Sequence, residues 1–156
     1  MKRKALILHI INRYSQLAHS APCGKMLPSQ LVEREMKLHC EIKELEIIRK
    51  HLDSLPIPMS KHMGVCLAVE EAFVNVVSYS ECREIHFDTD MADGKLRIVI
   101  SDDGKEFDPT KAPPPVIDPD NLRPGGLGIS MVRKIMDSME YERKDGKNIL
   151  ILKTIL

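Results

Sequence analysis

The spacing of apolar residues changes along this chain between two periods, and this change most constrains the fold. Residues 34–42 alternate apolar with polar positions, which is typical of a strand that buries one face. The next two stretches, 41–52 and 60–78, carry apolar residues at helical spacing. Residues 84–88 and 96–101 then have the pattern of two strands around a glycine-containing turn. The order strand, helix, helix and hairpin predicts helices packed on an antiparallel sheet.

A proline-rich segment separates these elements from the end of the chain. Residues 109–124 contain six prolines, which fix φ and lack a backbone N–H, so we predict a long loop or lid there. Residues 129–139 have helical spacing, and residues 141–144 and 148–156 predict a final hairpin. The whole pattern predicts an α+β fold, a two-layer sandwich whose mixed, mostly antiparallel sheet carries its helices on one face.

Length and composition favour a single domain without nucleic-acid or membrane partners. The 156 residues suit one core, so we assign residues 31–156 to that domain and residues 1–30 to an extension of unknown role. Zero net charge and 4% aromatic residues argue against a nucleic-acid surface or a basic membrane patch. The apolar run near the start is short, so we predict no export signal, no membrane span and a cytoplasmic location.

The spacing of cysteines and histidines predicts no metal site. The four cysteines form no C-x-x-C pair, and the six histidines form no cluster such as H-E-x-x-H. Isolated cysteines of this kind are typically small buried residues or free thiols in a reducing cytosol. We predict the same state for these four.

The first of three polar segments lies within the second predicted helix. Glu71 and Asn75 are four residues apart, so they share one helix face among mostly apolar neighbours. An amide oxygen suits a hard cation such as Mg²⁺, and a carboxylate can orient or deprotonate a water or a hydroxyl. The alternative is that Glu71 faces solvent and Asn75 is a satisfied polar side chain. Glu70 is five residues from Asn75, which makes it the weaker candidate for the base.

The second polar segment follows an apolar strand. Asp102 ends that strand and precedes Asp103 and Gly104. A carboxylate there can accept a hydrogen bond from an exocyclic amine such as adenine N6, and glycine lets the backbone approach a flat ring. A simple Asp-Gly turn is the alternative interpretation.

The third polar segment is glycine-rich and joins the proline-rich loop to the next predicted helix. Its residues are Gly125, Gly126, Leu127 and Gly128. Backbone N–H groups at a helix start bind phosphate, and glycines allow close approach. The spacing matches neither a P-loop nor a Rossmann motif, and a flexible glycine turn is the alternative.

The three segments in this order resemble the GHKL (Bergerat-fold) ATPases. Residues 71–75 are similar to the N box of that family, residues 102–104 to its G1 box, and residues 125–128 to its G2 box. Within the superfamily, residues 100–109 and the loop 112–115 look most like the stand-alone anti-sigma factor serine kinases.

This resemblance implies a role for each matching residue. Asn75 would bind Mg²⁺, and Glu71 would act as the catalytic base. Asp102 would read the adenine of ATP, with Gly104 beside it. Arg123 would add positive charge near the phosphates. The phosphates themselves would be held under a mobile lid by the glycine-rich turn, namely Gly125, Gly126, Leu127 and Gly128.

The resemblance also implies a function. Anti-sigma factor kinases use ATP to phosphorylate a serine or threonine on a small anti-sigma-factor antagonist protein, and they sequester a sigma factor; a homodimer is compatible with that role. Two alternatives are an ATP-responsive binding switch without phosphoryl transfer and a detached ATP-binding domain of a histidine kinase. Two departures bear on transfer. Glu106 replaces the second glycine of the G1 box, and residues 78–80 lack the histidine that often follows the N box.

Overall fold

A computed structural model of the chain describes residues 34–113 and 127–156. In these residues, five strands pair into one sheet and three α-helices pack beside it. The strands are β1 (Arg34–His39), β2 (Glu84–Ala92), β3 (Lys95–Asp102), β4 (Ser138–Lys144) and β5 (Lys147–Ile155). The helices are α1 (Leu45–Ser54), α2 (Met59–Tyr79) and α3 (Leu127–Ile135).

The sheet has the order β1-β2-β3-β5-β4, and every described pairing is antiparallel. Two hairpins build most of it. The β2–β3 turn places Asp93 and Gly94 at φ of 51° and 70°, and the β4–β5 turn places Asp145 and Gly146 at φ of 49° and 76°. Two successive residues with positive φ match the twist of the flanking strands, which explains the Asp-Gly pair at each turn.

One hydrophobic core joins the sheet to the helices. Strands β2, β3 and β5 bury every second residue, as the alternating pattern predicts. Phe87, Ile98 and Leu152 are fully buried on these strands, and they cluster with fully buried Val69 and Phe73 of α2. The structure therefore confirms the predicted α+β class. Helix α2 is the central helix, because its buried residues pack against the sheet.

Several element boundaries differ from those predicted. The predicted helix 41–52 begins with a separate 3-10 turn at Ile42–Glu44, after which α1 runs to Ser54. The predicted helix 129–139 begins earlier, at Leu127, and ends at Ile135, so Met139 belongs to β4 rather than to the helix. The physical reason is Asp137, whose backbone N–H donates to Lys153 O (2.9 Å) and whose carboxylate accepts from Ile155 N (2.7 Å). These bonds turn the chain into the sheet.

The cysteine prediction was wrong for two residues, since Cys40 and Cys82 form a disulfide. Cys40 directly follows β1 and Cys82 precedes β2, and the β1–β2 register pairs His39 with Glu84. That register brings the two Cα atoms to 5.9 Å, within the usual disulfide range. The spacing of 42 residues carries no such signal, because the contact depends on strand pairing. Cys66 is a buried free thiol, as predicted.

Within residues 34–113 and 127–156, the helices lack the combination of length and apolarity that crossing a membrane requires.

We expect that Cys82→Ser lowers the free energy of unfolding by about 2–4 kcal/mol, because the disulfide restricts the unfolded chain. Urea denaturation of the wild type and the variant without reductant measures this difference. The wild type in reductant serves as the control, and its free energy of unfolding should fall to that of the variant. The free energy of unfolding of the variant itself should not change with reductant. A wild type that is equally stable with and without reductant would contradict the bond.

Candidate functional site

A pocket opens between α2, the start of α3 and the ends of β3, β4 and β5. Its walls are mostly apolar, formed by residues such as Ala72, Val76, Ile100, Met139 and Leu150. A few polar side chains converge on it, namely Asn75, Ser80, Asp102, Tyr141 and Asn148. An apolar cleft with a small number of placed polar groups is the usual form of a small-molecule site.

Asp102 is a buried polar group of this pocket that three donors hold. It is 3% exposed at the end of β3. Its Oδ1 accepts hydrogen bonds from Ser80 Oγ, from Gly104 N (2.9 Å) and from Asn148 Nδ2 (2.9 Å). Since these donors all bind Oδ1, the other carboxylate oxygen is the one that a pocket ligand can contact. These hydrogen bonds hold the carboxylate in one orientation, so the arrangement presents a fixed acceptor.

Gly104 is required here by a contact with the protein itself. A Cβ at this position would overlap the hydroxyl and the carbonyl of Ser80. The next residue, Lys105, donates its backbone N–H to Ser80 O (2.7 Å). The loop after β3 therefore packs directly on the end of α2, and only glycine fits. That Gly104 also borders a ligand stays a prediction.

Asn148 organises the floor of the pocket and was not found from the sequence. It lies on β5 directly opposite Asp102. Its amide nitrogen donates to Asp102 and to Lys105 O (2.8 Å), and its oxygen accepts from Tyr141 Oη (2.8 Å) and from Arg143 Nη1 (2.8 Å). All the hydrogen-bonding capacity of the amide is thus used. No local motif marks Asn148, since its place follows from the β3–β5 register.

Ser80 is the second residue that sequence reasoning missed. The prediction treated residues 78–80 only as the place of a missing histidine. In the structure Ser80 is buried and its hydroxyl donates to Asp102, whereas Ser78 and Tyr79 are exposed. No local signal marked Ser80, because its contact with Asp102 depends on how the end of α2 meets the end of β3.

Glu71 and Asn75 lie together beside the start of α3. Glu71 is 7% exposed and Asn75 is half-buried at the pocket. A Cβ at Gly128 would overlap the Glu71 carboxylate and would lie 3.7 Å from Asn75 Nδ2. The structure therefore brings the first and third polar segments into contact, and a side chain at Gly128 would displace the Glu71 carboxylate. Glu71 does not face solvent, which contradicts that part of the alternative interpretation.

Glu70 has a structural partner that separates it from Glu71. It is 1% exposed, and both of its oxygens accept from Arg49 of α1, at 2.5 Å from Nε and 2.9 Å from Nη2. A bidentate arginine–carboxylate pair is a strong and directional interaction. Glu70 thus holds α1 against α2, and Glu71 is the carboxylate that lies beside the start of α3.

Two charged side chains act on residues that line the pocket, namely Tyr141 and Pro109. Glu106 is exposed, and burial together with the Glu106 charge raises the pKa of Tyr141 above its ordinary value. Arg133 of α3 donates from Nη2 to three backbone carbonyls between residues 109 and 112, at 2.8–2.9 Å. These bonds fix the first turn of the proline-rich segment to α3.

Some predicted site residues fall outside the described part of the chain. These are Arg123, Gly125 and Gly126. Leu127 is the first residue of α3 and is 55% exposed.

The sequence matches the family described as the histidine kinase-like ATPase domain over residues 43–154. The chain belongs to the histidine kinase-like ATPase family. The predicted family resemblance is therefore confirmed, and the pocket lies inside the matched region.

Two curated relatives of this ATPase-family chain are named as kinases. The chain is 34% identical to the serine/threonine-protein kinase BtrW of Bordetella bronchiseptica over 92 residues, which is 55% of this chain and 65% of the relative. It is 35% identical to the serine-protein kinase RsbW of Staphylococcus epidermidis over 100 residues, which is 57% of this chain and 63% of the relative. The chain thus spans less than two thirds of the length of each.

A solved structure shares the fold of this ATPase-family chain. The RsbU and RsbW domains of Rv1364c from Mycobacterium tuberculosis superpose with a TM-score of 0.56 and 16% sequence identity. The match covers 80% of this chain and 32% of that one. At this identity the likeness concerns the fold alone.

We expect that Arg49→Met lowers the free energy of unfolding by about 3–5 kcal/mol, because the buried Glu70 carboxylate would lose its partner. Urea denaturation measures the loss. Lys37→Met is the matched control, since Lys37 pairs with Glu84 at the surface and such pairs contribute at most about 1 kcal/mol. A loss no larger than that of the control would refute the structural role of Glu70.

Proposed function

We propose that this protein binds ATP and transfers its γ-phosphoryl group to a serine or threonine of a small partner protein. The single observation that carries the proposal is Asp102, held by three donors at the floor of an apolar pocket. The names of the two curated kinase relatives support the reaction class.

The adenine would occupy the apolar part of the pocket. Its 6-amino group would donate to the Asp102 oxygen that Ser80 and Asn148 leave available, and the apolar walls would exclude water from the ring. A buried acceptor that is already oriented discriminates strongly, because a base without the amino group would leave it unpaired. This arrangement supports recognition of adenine over guanine.

The phosphates would lie at the opposite end, beside the start of α3. Backbone N–H groups of Gly125, Gly126, Leu127 and Gly128 would bind them, and Arg123 would add charge. Asn75 offers a neutral side-chain oxygen at the pocket edge, which suits Mg²⁺, a cation that keeps several waters and binds phosphate oxygens. When bound, Mg²⁺ would offset phosphate charge.

Glu71 would act as the general base. As the serine oxygen of the partner forms its bond to phosphorus, the bond between the γ-phosphorus and the bridging oxygen breaks, ADP leaves, and the serine proton passes to the Glu71 carboxylate. Its low exposure and its contact with α3 support this assignment over Glu70, whose two oxygens are bound by Arg49.

The partner would be an anti-sigma-factor antagonist-like protein, and the chain would also sequester a sigma factor, in a monomeric or homodimeric form. The resemblance to anti-sigma factor kinases supports these partners. The second candidate function is an ATP-responsive switch without phosphoryl transfer. It is favoured by one observation. The segment in which a histidine often follows the N box has no histidine here, and Ser80 of that segment donates its hydroxyl to Asp102.

We expect that Glu71→Gln lowers phosphoryl transfer by about 100-fold or more, since general-base catalysis contributes at least this factor. The assay measures label from γ-labelled ATP on a serine of an anti-sigma-factor antagonist protein. Glu70→Gln is the matched control, with its folded fraction checked by circular dichroism, and should keep activity within tenfold per folded molecule. Equal labelling by the wild type and Glu71→Gln would refute the base. Nucleotide binding without labelling by the wild type would favour the switch.

We expect that Asp102→Asn weakens ADP binding by about tenfold or more, because a hydrogen bond to a charged group contributes about 1.5–3 kcal/mol. Calorimetry of ADP and of the purine riboside diphosphate that lacks the 6-amino group measures the effect. The wild type should bind the nucleotide without the amino group more weakly than ADP, whereas Asp102→Asn should bind the two nucleotides with similar affinity. Fully additive losses would contradict contact between Asp102 and the amino group.

A further inference from the structure

A group of three potential metal ligands lies between α1 and α2, apart from the pocket. Asp53 is near the end of α1, and His62 and Cys66 are four residues apart on one face of α2. The offered oxygen, nitrogen and sulfur atoms all lie within 4.8 Å of one another. Along α2, Cys66 is about 14 Å from Asn75, at 1.5 Å per residue, so the group is separate from the proposed magnesium site.

The distances within this group approach those of a zinc site. Asp53 Oδ1 lies 3.2 Å from His62 Nε2, and Cys66 Sγ lies 3.8 Å from each ring nitrogen. Tetrahedral zinc, with bonds of about 2.0–2.3 Å, places its ligands about 3.3–3.8 Å apart. Small rotations of these side chains would therefore complete the geometry.

We propose that Asp53, His62 and Cys66 bind Zn²⁺, with water as the fourth ligand. Sulfur, imidazole nitrogen and carboxylate oxygen form a donor set that suits zinc and does not suit Mg²⁺ or Ca²⁺. This proposal departs from the expectation, drawn from cysteine and histidine spacing, that these residues form no metal site, and it is independent of the proposed kinase function.

The surroundings of the site are compatible with this ion. Cys66 is 4% exposed, whereas the Asp53 side chain is 66% exposed and leaves a path from solvent. Burial raises the pKa of the Cys66 thiol to about 12, so zinc would form its bond to sulfur as the thiol proton passes to water. The resulting thiolate and the Asp53 carboxylate together balance the two charges of the ion. Glu70 is bound by Arg49 and does not compete.

Zinc at this place would join the end of α1 to the first half of α2. The Arg49–Glu70 pair already joins the same helices, with Glu70 one helical turn after Cys66 and two turns after His62. The ion would thus stabilise the helix that carries Glu71 and Asn75 without touching the nucleotide pocket.

Titration with Co²⁺, a spectroscopic substitute for Zn²⁺, tests the proposal on the full chain with its disulfide intact. The wild type should show a sulfur-to-cobalt charge-transfer band that saturates at one equivalent and disappears when Zn²⁺ is added. Zn²⁺ at about a hundredfold excess over its dissociation constant should raise the Tm by about 5 °C or more. Absence of the band in the wild type would overturn the site.

Two variants test individual ligands, and a third serves as the control. Cys66→Ala should abolish the band, and an unchanged band would overturn the proposal because another thiol would be the ligand. Asp53→Asn, at an exposed position that does not endanger folding, should keep the band at saturation and weaken Co²⁺ binding at least tenfold. Glu46→Gln is the matched control, since it removes the same charge from the same helix outside the ligand group. Equal weakening by Asp53→Asn and Glu46→Gln would reduce the effect to general electrostatics and overturn the proposal.

Discussion

The hydrogen bonds on Asp102 are the interaction on which the rest of the site depends. A carboxylate that is almost fully buried is stable only when donors satisfy it. Three parts of the chain supply them, namely Ser80 after α2, Gly104 after β3 and Asn148 on β5. The same bonds join the end of the central helix to the middle of the sheet. The pocket therefore has a rigid floor, with its orientation set before any ligand arrives.

The central helix serves two different surfaces along its length. Glu71 and Asn75 face the start of α3, where the Glu71 carboxylate lies against Gly128. Cys66 and Glu70 face α1, where Arg49 binds the buried carboxylate. Charged and polar groups on a largely buried helix are costly without partners, and here neighbouring helices provide them. One face of this helix thus packs on α1, and the other carries the residues proposed for the chemistry. The adjacent residues Glu70 and Glu71 can therefore have different roles.

The segment between α2 and β2 links the disulfide to the pocket. Cys82 is bonded to Cys40, and within three residues of it Ser80 contacts both Asp102 and Lys105. Asp103 accepts hydrogen bonds from the backbone of residues 83 and 84, and these bonds lower its pKa. Covalent and polar contacts therefore hold this loop and the loop after β3 as one unit.

By itself the sequence determined the elements, the α+β class and the three polar segments, because helical and strand periods are local properties of the chain. The order of the motifs also predicted that Asp102, Glu71, Asn75 and Gly128 belong to one site. Tertiary structure decided what depends on contacts between distant residues. The β3–β5 register placed Asn148 opposite Asp102, and the β1–β2 register brought the disulfide cysteines together. The spacing from Asn75 favoured Glu71 over Glu70 in the sequence, but the packing of α1 on α2 gave Glu70 its structural role, because it placed Arg49 against the buried carboxylate.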